Sequence, residues 1–333
     1  MRLRSITFCL CLLVAALLAG CASDGAGGEG RICFVSTRDG NGEIYCMNPD
    51  GTGLQNLTND AGEDELPVWS PDGKWIAFDS DRGGSQDVYV MNPEGDELRA
   101  VVQGPEDEWG PAWSPDGGRL AFMRQDAADV DIFVVSLDGS GLLRLTDSAE
   151  VDAWPAWSPD GLRVSYESGG QVFVVNADGT GRQQLTHVLD GDYNVFPSWS
   201  PDGTKILFRS MRDGNWELYL MNPDGTDQVN ISRNAGEDIA PAWTPDGGRI
   251  LFASDRSGNL DVYVMSSDGT GAMQLTRDPG DDGMPSWSPD LTRVVFVSGR
   301  AGEPDILVMN ADGSEPTNLT DNEADDYNPV WRR

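Results

Sequence analysis

Short apolar runs alternate with turn sequences along nearly the whole chain. A typical unit holds one run such as WIAF or KILF, a second such as DVYVMN or ELYLMN, and a third that ends in LT. The runs are rich in Val, Ile, Phe and Tyr and are apolar on both faces, as in strands that are covered on both sides. The sequences SPDG and NPDG between them are typical of tight turns that join antiparallel strands. The pattern predicts four short strands in each unit.

A Pro-x-Trp sequence marks every unit and gives the period of the repeat. The intervals between its tryptophans are 44, 44, 42, 44, 44 and 44 residues. These tryptophans are Trp69, Trp113, Trp157, Trp199, Trp243, Trp287 and Trp331. Four short strands repeated seven times predict a seven-bladed β-propeller, an all-β fold in which four-stranded antiparallel blades stack face to face around an axis.

The two ends of the repeat region complement each other. The N-terminal copy, residues 31–58, lacks the Pro-x-Trp strand, and the chain finishes with that strand and little else. We therefore expect the C-terminal strand, 329–331, to join the N-terminal blade and close the ring, which removes the free sheet edges. On this interpretation residues 31–333 form a single propeller domain.

The repeated sequence resembles that of a known family. The consensus PxWSPDGxxIAFxSxRxGxxDIYVMNPDGTGxxxLT is similar to the TolB-type propeller repeat (a PD-repeat, WD-repeat-like), which also occurs in the dipeptidyl peptidase and prolyl oligopeptidase family. The resemblance covers about residues 31–331 and implies the fold, but fold alone does not imply function. TolB has six blades and a further N-terminal domain, so its partners do not carry over, and no residues are left here for the peptidases' α/β-hydrolase domain.

The N-terminus has the features of an export signal. Arg2 and Arg4 precede an apolar run over residues 6–18, which is shorter than the roughly 20 residues needed to span a bilayer. The following LLAGC resembles the lipobox of bacterial lipoproteins and implies lipidation of Cys21; the alternative is an ordinary signal cleaved near Ala22. Residues 22–30 read as a flexible tether. We expect a lipid-anchored propeller in the periplasm or at the cell surface of a bacterium.

The chain is strongly acidic. Residues 1–21 hold two basic and no acidic side chains, so the mature chain carries 21 Lys and Arg against 55 Asp and Glu, a formal charge of −34. Such a charge repels nucleic acid and anionic lipid and favours cations or basic protein surfaces. Solubility, or adaptation to high salt, is the alternative explanation. We expect envelope proteins as partners, contact with a membrane only through the lipid, and a monomeric propeller.

One polar position recurs five residues before each motif tryptophan. It is occupied by Asp64, Glu108, Asp152, Asn194, Asp238, Asp282 and Asp326. Because strand directions alternate, this position lies near the axis on the face opposite the SPDG and NPDG turns, here called the top face. These side chains either form a ring that binds a cation or a basic peptide, or accept hydrogen bonds from their own loops. The sequence favours the second reading; we expect no cofactor, with Ca²⁺ as the one candidate ion.

The hairpins of the top face carry a second recurrence of charged residues. An arginine precedes a carboxylate in six blades, as in Arg38 and Glu43 or Arg82 and Asp87, and both are missing from the ESGGQVF sequence of the remaining blade. Their joint loss predicts an ion pair across or beside each hairpin, with a structural role.

Aromatic residues that do not repeat are candidates for recognition. Trp109, Trp154, Tyr193 and Phe196 stand where other copies have small or aliphatic side chains, and we place them in three successive top-face connections. Exposed aromatic side chains are enriched in protein interfaces. The alternative is that they pack beneath their own loops.

Two cysteines enter the fold, and their strands are predicted to pair. The hairpin register that places Phe34 opposite Tyr45 also places Cys33 opposite Cys46. Export would expose the pair to an oxidising compartment, where a disulfide is one outcome and two buried thiols are the other.

The sequence does not favour an enzyme. His187 is the only histidine, and no G-x-S-x-G sequence accompanies it. Oligogalacturonate lyases have similar repeats, but resemblance to them would require several metal-binding histidines. The sequence therefore predicts a non-catalytic scaffold that binds proteins through its top face. The alternative is a receptor for a glycan or small ligand, or a lyase-like enzyme, that uses an acidic channel mouth with a metal ion.

Overall fold

The chain forms a seven-bladed β-propeller, as the repeats predict. The computed structural model describes residues 30–126, 129–187 and 192–332, and it contains 28 strands in seven four-stranded antiparallel sheets. The export signal, Cys21 and most of the tether lie outside the described residues. Within the described ranges no helix has the length and apolar character needed to cross a membrane.

Each blade takes one strand from each of four series, numbered in chain order. The first strands are β4 (Asp64–Trp69), β8 (Asp107–Trp113), β12 (Asp152–Trp157), β16 (Asn194–Trp199), β20 (Asp238–Trp243), β24 (Asp282–Trp287) and β28 (Asp326–Trp331). The second strands are β1 (Ile32–Ser36), β5 (Ile76–Ser80), β9 (Arg119–Asp126), β13 (Arg163–Ser168), β17 (Ile206–Ser210), β21 (Arg249–Ser254) and β25 (Arg293–Ser298).

The outer two series complete the blades. The third strands are β2 (Glu43–Met47), β6 (Asp87–Met91), β10 (Asp129–Ser136), β14 (Gln171–Asn176), β18 (Glu217–Met221), β22 (Asp261–Ser266) and β26 (Asp305–Asn310). The fourth strands are the two-residue segments β3 (Gln55–Asn56), β7 (Arg99–Ala100), β11 (Leu143–Arg144), β15 (Gln183–Gln184), β19 (Val229–Asn230), β23 (Met273–Gln274) and β27 (Thr317–Asn318).

The C-terminal strand closes the ring. β28 pairs antiparallel with β1, with Ile32 opposite Trp331 and Ser36 opposite Asp326, so blade 1 has the order β28-β1-β2-β3. Closure is confirmed, but the strand begins at Asp326 rather than at 329. It is longer because its pairing with β1 extends to the residues before the Pro-x-Trp sequence, across a β-bulge seen as a register shift between Cys33 and Val35.

Apolar side chains between the blades form the core. Seven clusters of buried residues each combine side chains from two neighbouring blades, and the motif tryptophans belong to them. Trp113, for example, is 1% exposed and donates from Nε1 to the carbonyl oxygen of Val68 in the preceding blade, at 3.1 Å. The strands are apolar on both faces because each blade is covered on both sides.

Candidate functional site

The first strands surround the axis and carry a bulge at the same place in every blade. The register against the second strand shifts between Glu65 and Val68 in blade 2, and the corresponding shift occurs in each other blade. The residue three before each motif tryptophan has positive φ there, and these residues are Leu66, Gly110, Trp154, Phe196, Ala240, Met284 and Asn328. The bulge turns this residue out of the regular pleat near the top end of the strand.

The recurrent polar ring is buried. All seven of its side chains are 0% exposed: Asp64, Glu108, Asp152, Asn194, Asp238, Asp282 and Asp326. Several accept hydrogen bonds from their own connection, as Asp152 does from Ser148 Oγ at 3.0 Å and Asp326 from Asn322 Nδ2 at 2.6 Å. This is the arrangement that the sequence favoured. The carboxylates therefore do not form an open acidic mouth, and their binding of an ion stays a prediction.

Four hairpin arginines, Arg38, Arg82, Arg256 and Arg300, pair with the ring carboxylate of their own blade, whereas Arg124 pairs most closely with Asp126 of its own hairpin. Arg82 Nη2 lies 2.7 Å from Asp64 Oδ1, and Arg38 Nη2 lies 3.1 Å from Asp326 Oδ1. The predicted pairing of Arg38 with Glu43 and of Arg82 with Asp87 is wrong. Each guanidinium instead pairs with the carboxylate that its own blade contributes to the polar ring. Arg82 Cζ lies 5.1 Å from the ring centroid of Tyr89. Spacing in the sequence could not distinguish these two carboxylates.

Two ring positions have distinctive electrostatics. Burial, followed by the neighbouring Asp87 carboxylate, raises the pKa of Glu108 to about 8. Burial raises the pKa of Asp282 to about 6 in spite of its salt bridge with Arg300. Both side chains are 0% exposed, so each carboxyl group holds its proton more tightly than in the unfolded chain.

The non-repeating aromatic residues gather in one sector, but mostly on strands. Trp109, Trp154 and Phe196 belong to β8, β12 and β16, and only Tyr193 lies in a connection. Their placement in three connections is therefore wrong, because the first strands extend further towards the top than the Pro-x-Trp sequence shows. The rings of Trp154 and Phe196 have centroids 5.2 Å apart, and Trp109 and Trp154 pack, partly buried, against one hydrophobic cluster.

Among the described residues of the top-face connections, the most exposed apolar side chains flank blade 4. Val151 is 56% exposed and Tyr193 is 50% exposed, and they lie in the connections before and after blade 4. The other large exposed apolar side chains of the described residues belong to the turns and fourth strands: Leu54, Leu98, Leu142, Leu143, Leu162, Val229 and Met273. We define Val151, Trp154, Tyr193 and Phe196 as the blade-4 sector.

A buried cation that the sequence analysis missed adjoins this sector. Arg209 on β17 is 1% exposed, and its Cζ lies 4.4 Å from the ring centroid of Trp216 and 5.4 Å from that of Phe196. Burial raises the pKa of Glu167, and nearby Arg209 opposes that effect, leaving it at about 7. The signal was present in the repeats, because the residue before the serine that ends the second strand is apolar in blades 1, 6 and 7 but charged at Asp79, Glu167 and Arg209.

Cys33 and Cys46 lie opposite one another on β1 and β2, as the register predicts. Their Cα atoms are 4.1 Å apart, and the two sulfur atoms form a disulfide that links residues 13 apart in sequence. The bond lies in the blade that closes the ring.

The sole histidine and the groupings of metal-ligating side chains bear on catalysis. His187 is exposed, as expected of a surface residue. Among the described residues, no three His, Cys, Asp or Glu side chains are grouped so that they could hold a metal ion. A Ca²⁺ site stays a prediction.

Comparison with known proteins defines the class. Residues 26–109, 97–195, 189–277 and 226–333 match the TolB β-propeller domain family, so nearly the whole of the repeat region is covered. The chain belongs to this family of TolB-type β-propellers. It is 44% identical over 50 residues to the Tol-Pal system protein TolB of Desulfosudis oleivorans, a match that covers 15% of this chain and 11% of that protein.

Solved structures show the same fold at low sequence identity. TolB from Acinetobacter baumannii superimposes with a TM-score of 0.62 at 19% identity, over 91% of this chain and 66% of that one. Oligogalacturonate lyase from Vibrio parahaemolyticus gives a TM-score of 0.69 at 17% identity, over 84% and 85% of the two chains. Because the fold serves both a Tol-Pal protein and a lyase, function must be argued from the site.

Proposed function

We propose that this protein is a non-catalytic, lipid-anchored scaffold of the bacterial envelope that binds a protein partner through the blade-4 sector of its top face. Membership of the TolB β-propeller family and the match to Tol-Pal system proteins support a role in protein interaction. An exported protein anchored through Cys21 agrees with the N-terminal sequence.

The exposed apolar side chains of this sector carry the proposal. Tyr193 and Val151 stand half exposed beside the partly exposed pair Trp154 and Phe196. Burying half of such side chains against a partner would contribute about 1 kcal/mol each. Aromatic anchors surrounded by polar residues are typical of interface centres.

The net charge of the chain indicates what kind of partner surface it attracts. At −34 for the mature chain, long-range attraction favours a partner with a basic surface and makes association faster at low ionic strength. The apolar sector would then supply short-range affinity.

Affinity capture with matched variants tests this function. The tagged, lipidated protein is cross-linked in its host envelope, and the Val151→Ser/Tyr193→Ser variant is compared with the Leu54→Ser/Leu162→Ser variant, which alters equally exposed residues on turns of the opposite face. We expect the first variant alone to lose its partner with an unchanged melting temperature. Equal capture by both variants would refute the blade-4 sector as the binding site.

The four non-repeating aromatic residues are tested in a separate variant. Trp109 and Trp154 contact a core cluster, so changing Trp109, Trp154, Tyr193 and Phe196 together to Ala lowers stability as well as binding. Its melting temperature must be measured before any loss of capture is assigned to the interface. Failure of every form to capture a protein would contradict the scaffold role and direct attention to soluble ligands.

A further inference from the structure

The junction between blades 5 and 6 differs from the other six. Elsewhere, both the first and the second strand of a blade lie against the first strand of the next blade. Among the described strands, neither β16 nor β17 makes comparable backbone contact with β20, which is approached mainly by β18. The first two strands of blade 5 therefore lie further from blade 6 near the axis, and we call this junction the 5/6 seam.

Arg209 projects into the 5/6 seam. Leu207, two residues earlier on β17, packs with Trp243 and Phe252 of blade 6, and side chains two apart on a strand share a face. The equivalent residue of blade 2, Asp79, reaches the first strand of the next blade and accepts hydrogen bonds from the amide of Gly110 at 3.0 and 3.1 Å. A side chain at this position thus reaches the strands around the axis.

The guanidinium of Arg209 lacks polar partners. Its Nε and Nη1 atoms are buried without a hydrogen bond, and no carboxylate oxygen of the described residues lies within salt-bridge distance. Glu167 and Glu237 interact with Arg209 electrostatically from beyond salt-bridge distance, and one carboxylate oxygen of Glu237 accepts from the amide of Trp216 at 2.8 Å. Unpaired buried charges and N–H groups are costly, and folded proteins rarely leave them unsatisfied.

A second arginine of the same blade also lacks a carboxylate. Arg212 donates to Asn194 Oδ1 and to Gln228 Oε1, both at 2.7 Å, where the equivalent Arg82 binds Asp64. Asparagine at position 194 thus gives Arg212 a neutral acceptor where Asp64 gives Arg82 a salt bridge. Arg209 and Arg212 therefore place two guanidinium groups without salt bridges to the described residues next to the blade-4 sector, with Glu167 and Glu237 near the first and Asp192 and Asp213 near the second.

We propose that the 5/6 seam binds a carboxylate group carried by an acidic segment of a protein partner. The inference rests on the proposed function, which it deepens by naming the chemistry of one contact. A carboxylate is the acceptor that best matches guanidinium N–H groups, and such hydrogen bonds are stronger than those between neutral groups. The carboxylate approaches from the channel side, and Phe196 and Trp216 cover the apolar atoms beside it.

The contact sets specificity within an otherwise acidic surface. A partner with only a basic surface is attracted by the negative chain but leaves Arg209 unpaired. A partner that also carries one acidic group at the 5/6 seam pairs with Arg209, and the two contacts together fix its orientation.

Calorimetric titration with two matched probes tests the assignment. The full chain in detergent micelles is titrated with the peptide acetyl-Glu-Phe-amide and with acetyl-Gln-Phe-amide, which differs only in the carboxylate. We expect the Glu peptide to bind at least about tenfold more tightly, as for a hydrogen bond between charged groups. Arg209→Met should abolish the difference. Arg277→Met, which removes an exposed positive charge elsewhere, should retain it.

Three results of the peptide titrations would overturn the inference. They are equal binding of the two peptides, undetectable binding of the Glu peptide, and an unchanged preference in Arg209→Met. A fourth arm uses digalacturonate; tighter, Arg209-dependent binding of this sugar acid would reject a peptide as the source of the carboxylate. Arg209→Lys retains the charge without the planar fork and, if Arg209→Met does not fold, should show a reduced preference. If capture of the partner persists in Arg209→Met, the proposed function stands while the 5/6 seam is refuted.

Discussion

Arg82 donates from Nη2 to both carboxylate oxygens of Asp64, at 2.7 and 2.8 Å, and Asp64 is fully buried. Equivalent pairs join Arg38 to Asp326 and Arg256 to Asp238. Each pair ties a top-face hairpin to the first strand of its own blade, so the arginine that the repeat carries holds the hairpin against the ring.

Removing the cation should therefore destabilise the fold. Arg82→Met leaves the carboxylate of Asp64 buried without its cation, and we expect the free energy of unfolding to fall by about 3 kcal/mol. Urea unfolding measures this. The control is Lys74→Met, which removes an exposed salt bridge of 2.9 Å to Asp72 and should cost under about 1 kcal/mol. Equal losses in the two variants would show that the buried pair has no special role.

Glu108 gives the fold a pH dependence. Its pKa is about 8 in the folded chain, against an ordinary value of 4.5, so the folded state retains a proton that the unfolded state loses. The stability associated with this group is thus fully present below about pH 4.5 and is lost as pH rises to about 8. The Gln side chain of Glu108→Gln stays neutral, so this variant should lose less stability than the parent protein over that range. The difference should exceed about 1 kcal/mol, which corresponds to about one pKa unit.

Chemical unfolding at pH 5 and pH 8 measures this difference. Asp178→Asn, which changes an exposed turn residue, serves as the control and should follow the parent protein at both values. A parent protein and Glu108→Gln variant with parallel pH profiles would contradict a protonated Glu108.

The disulfide should stabilise the closing blade. Replacing Cys33 and Cys46 together by Ala removes a link across 13 residues, and for a loop of this size we expect a loss of about 3 kcal/mol. Unfolding experiments with and without reductant check the result, since reductant should weaken the parent protein and leave the double variant unaffected. A parent protein insensitive to reductant, at a concentration that reduces the unfolded chain, would contradict this contribution.

Arg209 should lower stability, because the 5/6 seam holds a cation that no described carboxylate pairs. Apolar residues occupy the same position in other blades, among them Met123, Ala253 and Val297. We expect Arg209→Met to raise the free energy of unfolding by about 1 kcal/mol or more. Differential scanning calorimetry checks this. A strongly destabilised variant would mean that Arg209 supports the fold rather than a ligand.

The sequence predicts the architecture well because every repeat carries the same pattern of strands and turns. Blade number, strand order, the closing role of the C-terminal strand and the register that opposes Cys33 and Cys46 follow from turns and apolar periods alone. The partner of Arg82 does not follow, because Asp64 and Asp87 are equally plausible by spacing, and only the path of the chain in space decides between them.

The candidate site depends on departures from the repeat, and these are harder to read. Trp154 and Phe196 stand out as aromatic residues, but the bulge directly before each Pro-x-Trp sequence accepts residues as different as Leu66 and Asn328, so residue type does not reveal the positive φ there. Arg209 is visible as a charged residue within an apolar run. Its meaning depends on the wider spacing between β17 and β20, which arises from packing between two repeats.

Site-specific photo-cross-linking in the host envelope tests the central claim most directly. A photoreactive phenylalanine analogue is placed at Tyr193 on the top face and, as a control, at the exposed Leu162 on a turn of the opposite face. We expect a discrete protein adduct from position 193, which disappears in the Val151→Ser background, and none from position 162. An adduct from 162 alone, or from neither position, would contradict recognition through the blade-4 sector.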